Sequence, residues 1–588
     1  MSIDSILKNA QALMRMGRLA AARSMLDSAL SEHRDDFQLH WSMAHLCTRM
    51  GDGQTALTHA TRCVELNPSI AQHHVVLGHC RLKLEQLDES CLCFTRAVEI
   101  DPSLTEAHTS LGIIASMKRE YDAAESHWRE SIRRNPMGTA AVCNLATVIR
   151  TIGRGDEAVR MLEPVVERNP FDINVQRAMA LASLYAIDIS PKQVTDYHRR
   201  FGSAVLRAVG PVMDRFENDR DQHRRLRIGY LSPDFRDHSV ASFALPLIEH
   251  HDRDVYEVNL FSVARSPDAI TRRFIEAADH WHDLSSCSDM QIADVVRGKR
   301  IDVLIDLAGL FDGHRQGVMA RRPAPVQATY LGYPNTTGLR AVDWRIVDHV
   351  TDPDGAESLA VENLARIDGC FLCYRVRHDM PQPAPKDEAE LTRPITFGSF
   401  NNISKLNRSV LDAWARILAN VLNSRMLFKA TPLSSDSVRR WLSNELIARG
   451  VGSDRIEMIG HTETQSEHLA MYDRVDIALD TFPYNGTTTT CEAMWMGVPL
   501  VTVRGDCHAA RVGASIMRAT DNSELTAESV DQYVEKAVDL ANDPGRLIEY
   551  RSILRERMAR SELCDVGGFA RRFERLIRDM WRTWCRQA

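Results

Sequence analysis

The sequence predicts an all-helical repeat array followed by two parallel α/β sheets that face each other across a cleft. Three observations carry this: prolines at a fixed interval through the first third of the chain, a change of texture at Leu226, and the stretch TFPYNGTTTTCEAMWMG from Thr481 to Gly497. A chain of 588 residues is too long for one core and divides into roughly three or four domains. With 44% hydrophobic and 26% charged residues it is an ordinary globular protein and not a disordered one. A net charge of −7, with both signs mixed along the chain, excludes an electrostatic footprint for nucleic acid or a membrane surface. The apolar runs fall short of the ~20 residues a membrane span needs. The N-terminal hydrophobes stand at helical spacing broken by charges, unlike a secretory signal. These features predict a cytoplasmic protein. Thirteen cysteines, an odd number without a Cys/His cluster, predict reduced thiols and no structural zinc.

Residues 1–172 read as five repeats. Pro68, Pro102, Pro136 and Pro170 are spaced by 34 residues, each after Asn or Asp. Small residues keep the same register at Ala10, Ala44, Gly78, Gly112 and Ala146, and again at Ala22, Ala56, Ser90, Ala124 and Ala158. Small side chains are needed where the two helices of a pair approach closely, and this period with helix-turn-helix patterning is that of tetratricopeptide repeats. Such arrays stack into a solenoid whose concave face binds extended peptides or proteins. Residues 173–223 keep a helical pattern but lose the period, and read as a linker or cap.

From Leu226 strands alternate with helical stretches. Strands are predicted at Leu226–Leu231, Tyr256–Val263 and Ile301–Leu307. A second set follows at Ile395–Phe400, Ser424–Lys429, Arg455–Ile459, Val475–Leu479 and Leu500–Val503, with a helix starting near Ala244 in the first set. This predicts two doubly wound domains, residues 224–390 and 391–588, with a nucleotide site in the crevice between them. Thr487 to Thr490 follow an Asn-Gly turn and lead into an apolar helix. The first turn of a helix leaves N–H groups unpaired beside the positive end of its dipole, a ready phosphate site. The alternative is a Thr-rich cap with no ligand. Lys405, in the loop Phe400–Lys405 that also holds Asn402, can neutralise a pyrophosphate; the alternative is a solvated surface lysine. His238, after the first strand, can exchange a proton near neutral pH; the alternative is a histidine that caps the next helix. The Pro and Gly residues between Arg322 and Gly338 also serve simply to shape turns.

The segments RPAPVQATYLGYPNTTG, CFLCY, TFGSFNNISK and DTFPYNGTTTTCEAMWMGVPLVT, in this order, give the chain its resemblance to the O-GlcNAc transferase and SPINDLY family of protein O-glycosyltransferases. In that family tetratricopeptide repeats precede a two-domain GT-B catalytic region. The wording is closer to the SPINDLY branch. The resemblance implies that Lys405 neutralises the pyrophosphate, Thr488 and Thr489 cradle phosphate, His468 stacks on the nucleobase, Glu492 bonds the ribose and His238 is the active-site histidine. It departs from the animal enzymes at Thr487, where they have histidine, at Glu492, where they have aspartate, and at Ser239, where the family has proline. The implied reaction is metal-independent and inverting, with protein Ser/Thr as acceptor and no cofactor beyond the donor. UDP-GlcNAc is the wider family's donor; the SPINDLY branch implies GDP-fucose. Two other classes are kept, an inactive repeat scaffold and a glycosyltransferase acting on a small molecule or glycan.

Overall fold

The computed structural model describes residues 2–211, 215–376, 380–384 and 393–587. The expected boundary between the α/β domains, at residues 390 and 391, lies outside the described residues. The chain forms two compact units, Met1–Val148 and Ile149–Ala588.

The first unit contains the helix pairs Ile3–Arg15 and Leu19–Glu32, Phe37–Met50 and Gly53–Leu66, Ala71–Lys83 and Leu87–Ile100, and Thr105–Met117 and Tyr121–Arg134. The small residues stand where a larger one would collide. A Cβ on Gly78 would lie 2.8 Å from the Phe94 ring, and one on Gly112 2.5 Å from the Trp128 indole. A second element keeps the 34-residue period. His40, His74 and His108 each bond the backbone carbonyl six residues earlier, of Arg34, Pro68 and Pro102, at 2.8, 2.9 and 3.2 Å. Each thereby ties the turn between helix pairs, opened by proline in two cases and by Arg34 in the first, to the helix that follows it.

The second unit begins in the helix Thr139–Thr151 and continues through Gly155–Arg168, Ile173–Ser183 and Pro191–Val209. The helical pattern read to residue 223 ends at Val209, and the described residues from 215 to 225 are irregular. The helix Pro191–Val209 is built into the α/β region. A Cβ on Gly202 would lie 1.9 Å from the Gly338 carbonyl oxygen, and one on Gly338 1.9 Å from that of His198. His198 also meets the Tyr333 hydroxyl at 2.6 Å. Thr336 and Thr337, in the same loop, donate their hydroxyls to the buried Glu362 carboxylate. The Pro- and Gly-rich segment is thus a strap holding that helix.

The first sheet comprises β1 (Leu226–Ser232), β2 (Tyr256–Ser262), β3 (His280–Asp283), β4 (Val303–Asp306), β5 (Val326–Thr329), β6 (Trp344–Asp348) and β7 (Asn363–Ile367), and the second β8 (Ile395–Ser399), β9 (Ser424–Lys429), β10 (Ile456–Ile459), β11 (Ile477–Leu479), β12 (Leu500–Val503) and β13 (Thr526–Ala527). Their orders are β3-β2-β1-β4-β5-β6-β7 and β10-β9-β8-β11-β12-β13, with every pairing parallel. Buried apolar residues fill the central strands, Ile228, Tyr230 and Ile305 in one and Phe397, Leu427 and Ile477 in the other. The five strands without a clear signal in the sequence, β3, β5, β6, β7 and β13, are two to five residues long. The edge strand β3, His-Trp-His-Asp, buries none of its side chains fully. The helix expected near Ala244 spans Ala241–Glu249.

The C-terminal helix, Val566–Arg586, returns to the first sheet. Glu574 meets His251 at 3.0 Å and accepts the Tyr256 hydroxyl on its carbonyl at 2.9 Å, and the Trp581 indole donates to the Asp221 carbonyl. No described helix is long and apolar enough to cross a membrane.

Candidate functional site

Each sheet reverses its strand order once, between β1 and β4 and between β8 and β11. Loops leaving two such strands diverge and open a crevice at their carboxyl ends. Here the two crevices share one cleft of about 770 Å³, lined from both sheets by His238, Asn402, Lys405, His468 and Thr487 to Thr489.

The β11 loop is organised by Asp480. Its carboxylate is buried and accepts the N–H groups of Thr481 at 2.8 Å and Gly486 at 2.7 Å and the Thr502 hydroxyl at 2.7 Å. Burial pushes its pKa up to about 6, against the pull of those donors and of Lys405. The loop then turns into the helix Thr488–Trp495, and the N-cap residue Thr487 makes no side-chain capping bond. The first-turn N–H groups therefore face the cleft region without a side-chain acceptor at the cap. Gly486 is required, because a Cβ there would lie 2.6 Å from the Thr489 hydroxyl and 2.9 Å from that of Thr490. Thr489 donates to the Asn401 amide oxygen at 3.1 Å, joining this turn to the β8 loop.

Lys405 ends that β8 loop in a short turn whose cap is Asn402, with its amide oxygen on the Ser404 N–H. The Lys405 ammonium donates to the Asn485 carbonyl at 2.7 Å and stands 4.2 Å from the centre of the Tyr484 ring. Burial lowers its pKa to about 8, opposed by Asp480. The lysine and the helix terminus thus bring fixed positive potential to one end of the cleft.

His468, on the helix Gln465–Ala470, is bonded at both ring nitrogens. Nε2 meets Glu492 at 3.1 Å and Nδ1 touches the Lys429 ammonium. Phe400 and Tyr472 flank the ring, with centroids at 5.8 and 6.0 Å. Glu492 does not line the cleft. It is buried behind His468, its other oxygen accepting the Gln465 amide at 2.9 Å.

His238 lies across the cleft in the β1 loop, which is anchored where the Asp237 N–H donates to Asp268 at 2.7 Å. Its Nδ1 accepts the Val240 N–H at 3.3 Å and stands 3.6 Å from the Asp234 carboxylate. Burial lowers the imidazole pKa and raises that of Asp234, each opposed by the other's charge. The histidine bonds the N–H of the residue before the next helix, which itself has no side-chain cap, and it lines the cleft.

Sequence reasoning alone did not single out Lys429, Asp234, Asn401, Tyr484 or Asp480. All but Tyr484 lie at or within two residues of the carboxyl end of a central strand, a positional signal available once the strands are assigned. The cleft is also closed by links between the sheets. His508 pairs with Asp352, which Arg345 meets at 3.3 Å. Burial alone would raise the Asp352 carboxyl, but His508 and Arg345 hold it well below the usual range. Cys370 and Cys373, at CxxC spacing, are buried free thiols with pKa values pushed far up by burial, to about 12 for Cys370.

Against known proteins, the model of glycosyl transferase family 41 matches residues 200–382 and 386–573, and a tetratricopeptide repeat model matches residues 72–104. A protein of Arabidopsis thaliana named "Probable UDP-N-acetylglucosamine--peptide N-acetylglucosaminyltransferase SPINDLY" is 39% identical over 428 residues, 71% of this chain and 46% of that protein. Its namesake in Petunia hybrida is 38% identical over 423 residues, 71% of this chain and 45% of that one. The chain therefore spans about half the length of these curated relatives. A solved structure of an O-GlcNAc transferase mutant from Thermobaculum terrenum superposes with a TM-score of 0.81 at 32% identity, covering 88% of this chain and 98% of that one.

Proposed function

The chain belongs to glycosyl transferase family 41, and on that premise we propose that it is a protein O-glycosyltransferase that moves a sugar from a nucleotide diphosphate to Ser or Thr hydroxyls. The observation that carries this is the meeting of Lys405 and the Thr488 helix terminus at one end of a cleft whose opposite wall holds His238. The acceptor oxygen forms a bond to the anomeric carbon while the bond from that carbon to the diphosphate breaks, with inversion, and the hydroxyl proton leaves to an oxygen of the departing diphosphate. Negative charge grows on the leaving diphosphate. Lys405 and the first-turn N–H groups of the Thr488 helix stabilise it without a metal, by donors already in place. His238 orients the sugar: with Nδ1 accepting the Val240 N–H, the neutral ring carries its proton on Nε2, a donor available to the cleft. His468 supplies a platform for the base.

The proposed donor is UDP-GlcNAc, in keeping with the names of the relatives; GDP-fucose is the alternative. Incubating the full chain with a panel of nucleotide sugars in EDTA, and following hydrolysis and nucleotide-dependent thermal shifts, tests this. One donor should be hydrolysed and should stabilise the protein. If no donor does either, the enzymatic reading fails in favour of a repeat scaffold, and activity that needs added magnesium or manganese would show that the lysine and helix terminus do not suffice.

Protein acceptors are proposed to lie along the repeats. The truncation that tests this removes residues 1–138, because Arg150, Thr151 and Tyr185 line the cleft and must stay. Donor hydrolysis should persist. Transfer to a protein should fall roughly a hundredfold with the loss of effective concentration. Undiminished protein transfer by the folded truncation would place acceptor choice in the cleft alone.

A further inference from the structure

We propose that Lys429 is a positioning residue that locks the His468 ring in one neutral tautomer and one orientation, so that a face of the imidazole is all it presents to a nucleotide base. The inference rests on the reading of this cleft as a nucleotide site. Lys429 ends β9, is 9% exposed and lines the cleft, and nothing in the sequence motifs marks it.

The argument follows from donor and acceptor roles. An ammonium only donates, so Nδ1, which touches the Lys429 ammonium, must be the bare nitrogen. Nε2 then carries the hydrogen and donates it to Glu492 at 3.1 Å. The other tautomer would aim an N–H at an ammonium and a lone pair at a carboxylate, and an imidazolium would aim an N–H at the ammonium as well. Both are disfavoured electrostatically in a partly desolvated site. The groups around the ring, taken from every element packed on it, are Lys429 from β9, Glu492 from the helix Thr488–Trp495, Phe400 from the β8 loop and Tyr472 just beyond its own helix. Burial raises the Tyr472 hydroxyl well above its ordinary range, so it stays neutral, and Lys429 and Glu492 are the two charges that decide. The Glu492 carboxylate also opposes the burial that lowers the Lys429 ammonium, so the three groups form one charge-balanced row. Gln465 closes its far end by donating to the second Glu492 oxygen. With both edges of the imidazole occupied, rotation of the ring breaks two polar contacts at once.

A ring held this way serves ground state and transition state alike. Its loss should therefore raise the donor KM more than it lowers kcat. The test uses the full chain as wild type, Lys429→Met, which keeps the length of the side chain, and Lys429→Arg, which restores a donor. Selective ¹⁵N labelling of histidine reports the tautomer, with the His468 signals identified by their absence from a His468→Gln spectrum, and calorimetry with UDP and with GDP reports binding. Wild type should show one protonated and one bare nitrogen on His468. Lys429→Met should show exchange between forms, a tenfold or greater weakening of the nucleotide that wild type binds, and a kcat within about threefold. Lys429→Arg should recover most of the affinity and the single tautomer. An unchanged tautomer and unchanged affinity in Lys429→Met would overturn the proposal, and so would failure of Lys429→Arg to recover either. Should wild type bind neither nucleotide, the nucleotide reading falls by itself, and the ¹⁵N spectra of the variants still decide whether Lys429 sets the tautomer.

Discussion

The two sheets of the second unit are built to one plan and equipped differently. Both run in the order third, second, first, fourth, fifth, sixth strand, and both place an aspartate at the end of the fourth strand, Asp306 as the last residue of β4 and Asp480 directly after β11. Each aspartate is buried and accepts backbone N–H groups of the loop it begins, from Ala308 and Gly309 in one sheet and from Thr481 and Gly486 in the other. Burial pushes both to about 6. The difference lies in what faces them. Asp306 is met by the neutral Gln316 amide at 2.8 Å, whereas Asp480 lies in the field of Lys405. The same device thus shapes a neutral loop in the first sheet and supports a cation in the second. The shared topology makes the crevice, and the loop residues divide the work.

Breaking the second sheet's equipment should have the largest effect. Lys405→Ala should lower transfer by roughly a hundredfold or more, the cost of one charge-assisted donor in a water-poor site, with an unchanged circular dichroism spectrum. Activity within about twofold of wild type would remove Lys405 from the site. The pH dependence sharpens the point. The ammonium is the active form, so kcat/KM should fall as pH rises through about 8, and Lys405→Arg, which does not titrate in this range, should lose that alkaline limb.

The first sheet should prove less demanding. His238→Ala removes an orienting donor and should cost roughly tenfold in kcat, below the ~10²–10⁴ associated with a general base. A loss in that higher range would instead make His238 the acceptor of the hydroxyl proton, with Nδ1 turned to Asp234.

The paired aspartates give the smallest effect and the most direct comparison. Asp306→Asn sets an amide NH₂ against a backbone N–H donor, and Asp480→Asn sets one against the Thr502 hydroxyl, so each should lower stability by ~1–3 kcal/mol in chemical denaturation. Only Asp480→Asn should also slow transfer, by roughly tenfold, since it alone shapes the loop that carries the turn proposed to hold phosphate. Equal activity losses would show that the two loops are not divided as described.

Much of this was legible in the chain. The 34-residue proline period and its register of small residues are local signals, and four helix pairs in the first unit carry them. The strands β1, β2, β8, β9 and β12 were placed to within a residue at either end. Lys405 and the threonine turn were readable because strand, turn and helix lie close together in sequence and their chemistry depends on backbone ends. Strands β3, β5, β6, β7 and β13 were not, since two to five residues with little alternation leave no period to detect.

What the sequence by itself determined is therefore the kind of elements present and the chemistry at their ends, because period, turn residues and helix termini act within a few positions of one another. The tertiary structure alone decided which of these groups meet. Lys429 reaches His468 across 39 residues, Asp352 reaches His508 across 156, and the Tyr185 ring, from the turn after the helix Ile173–Ser183, lies 5.2 Å from that of Tyr484 in the β11 loop. Such meetings depend on how apolar faces pack and where the sheet order reverses. Those are properties of the whole core, and no short window of residues contains them.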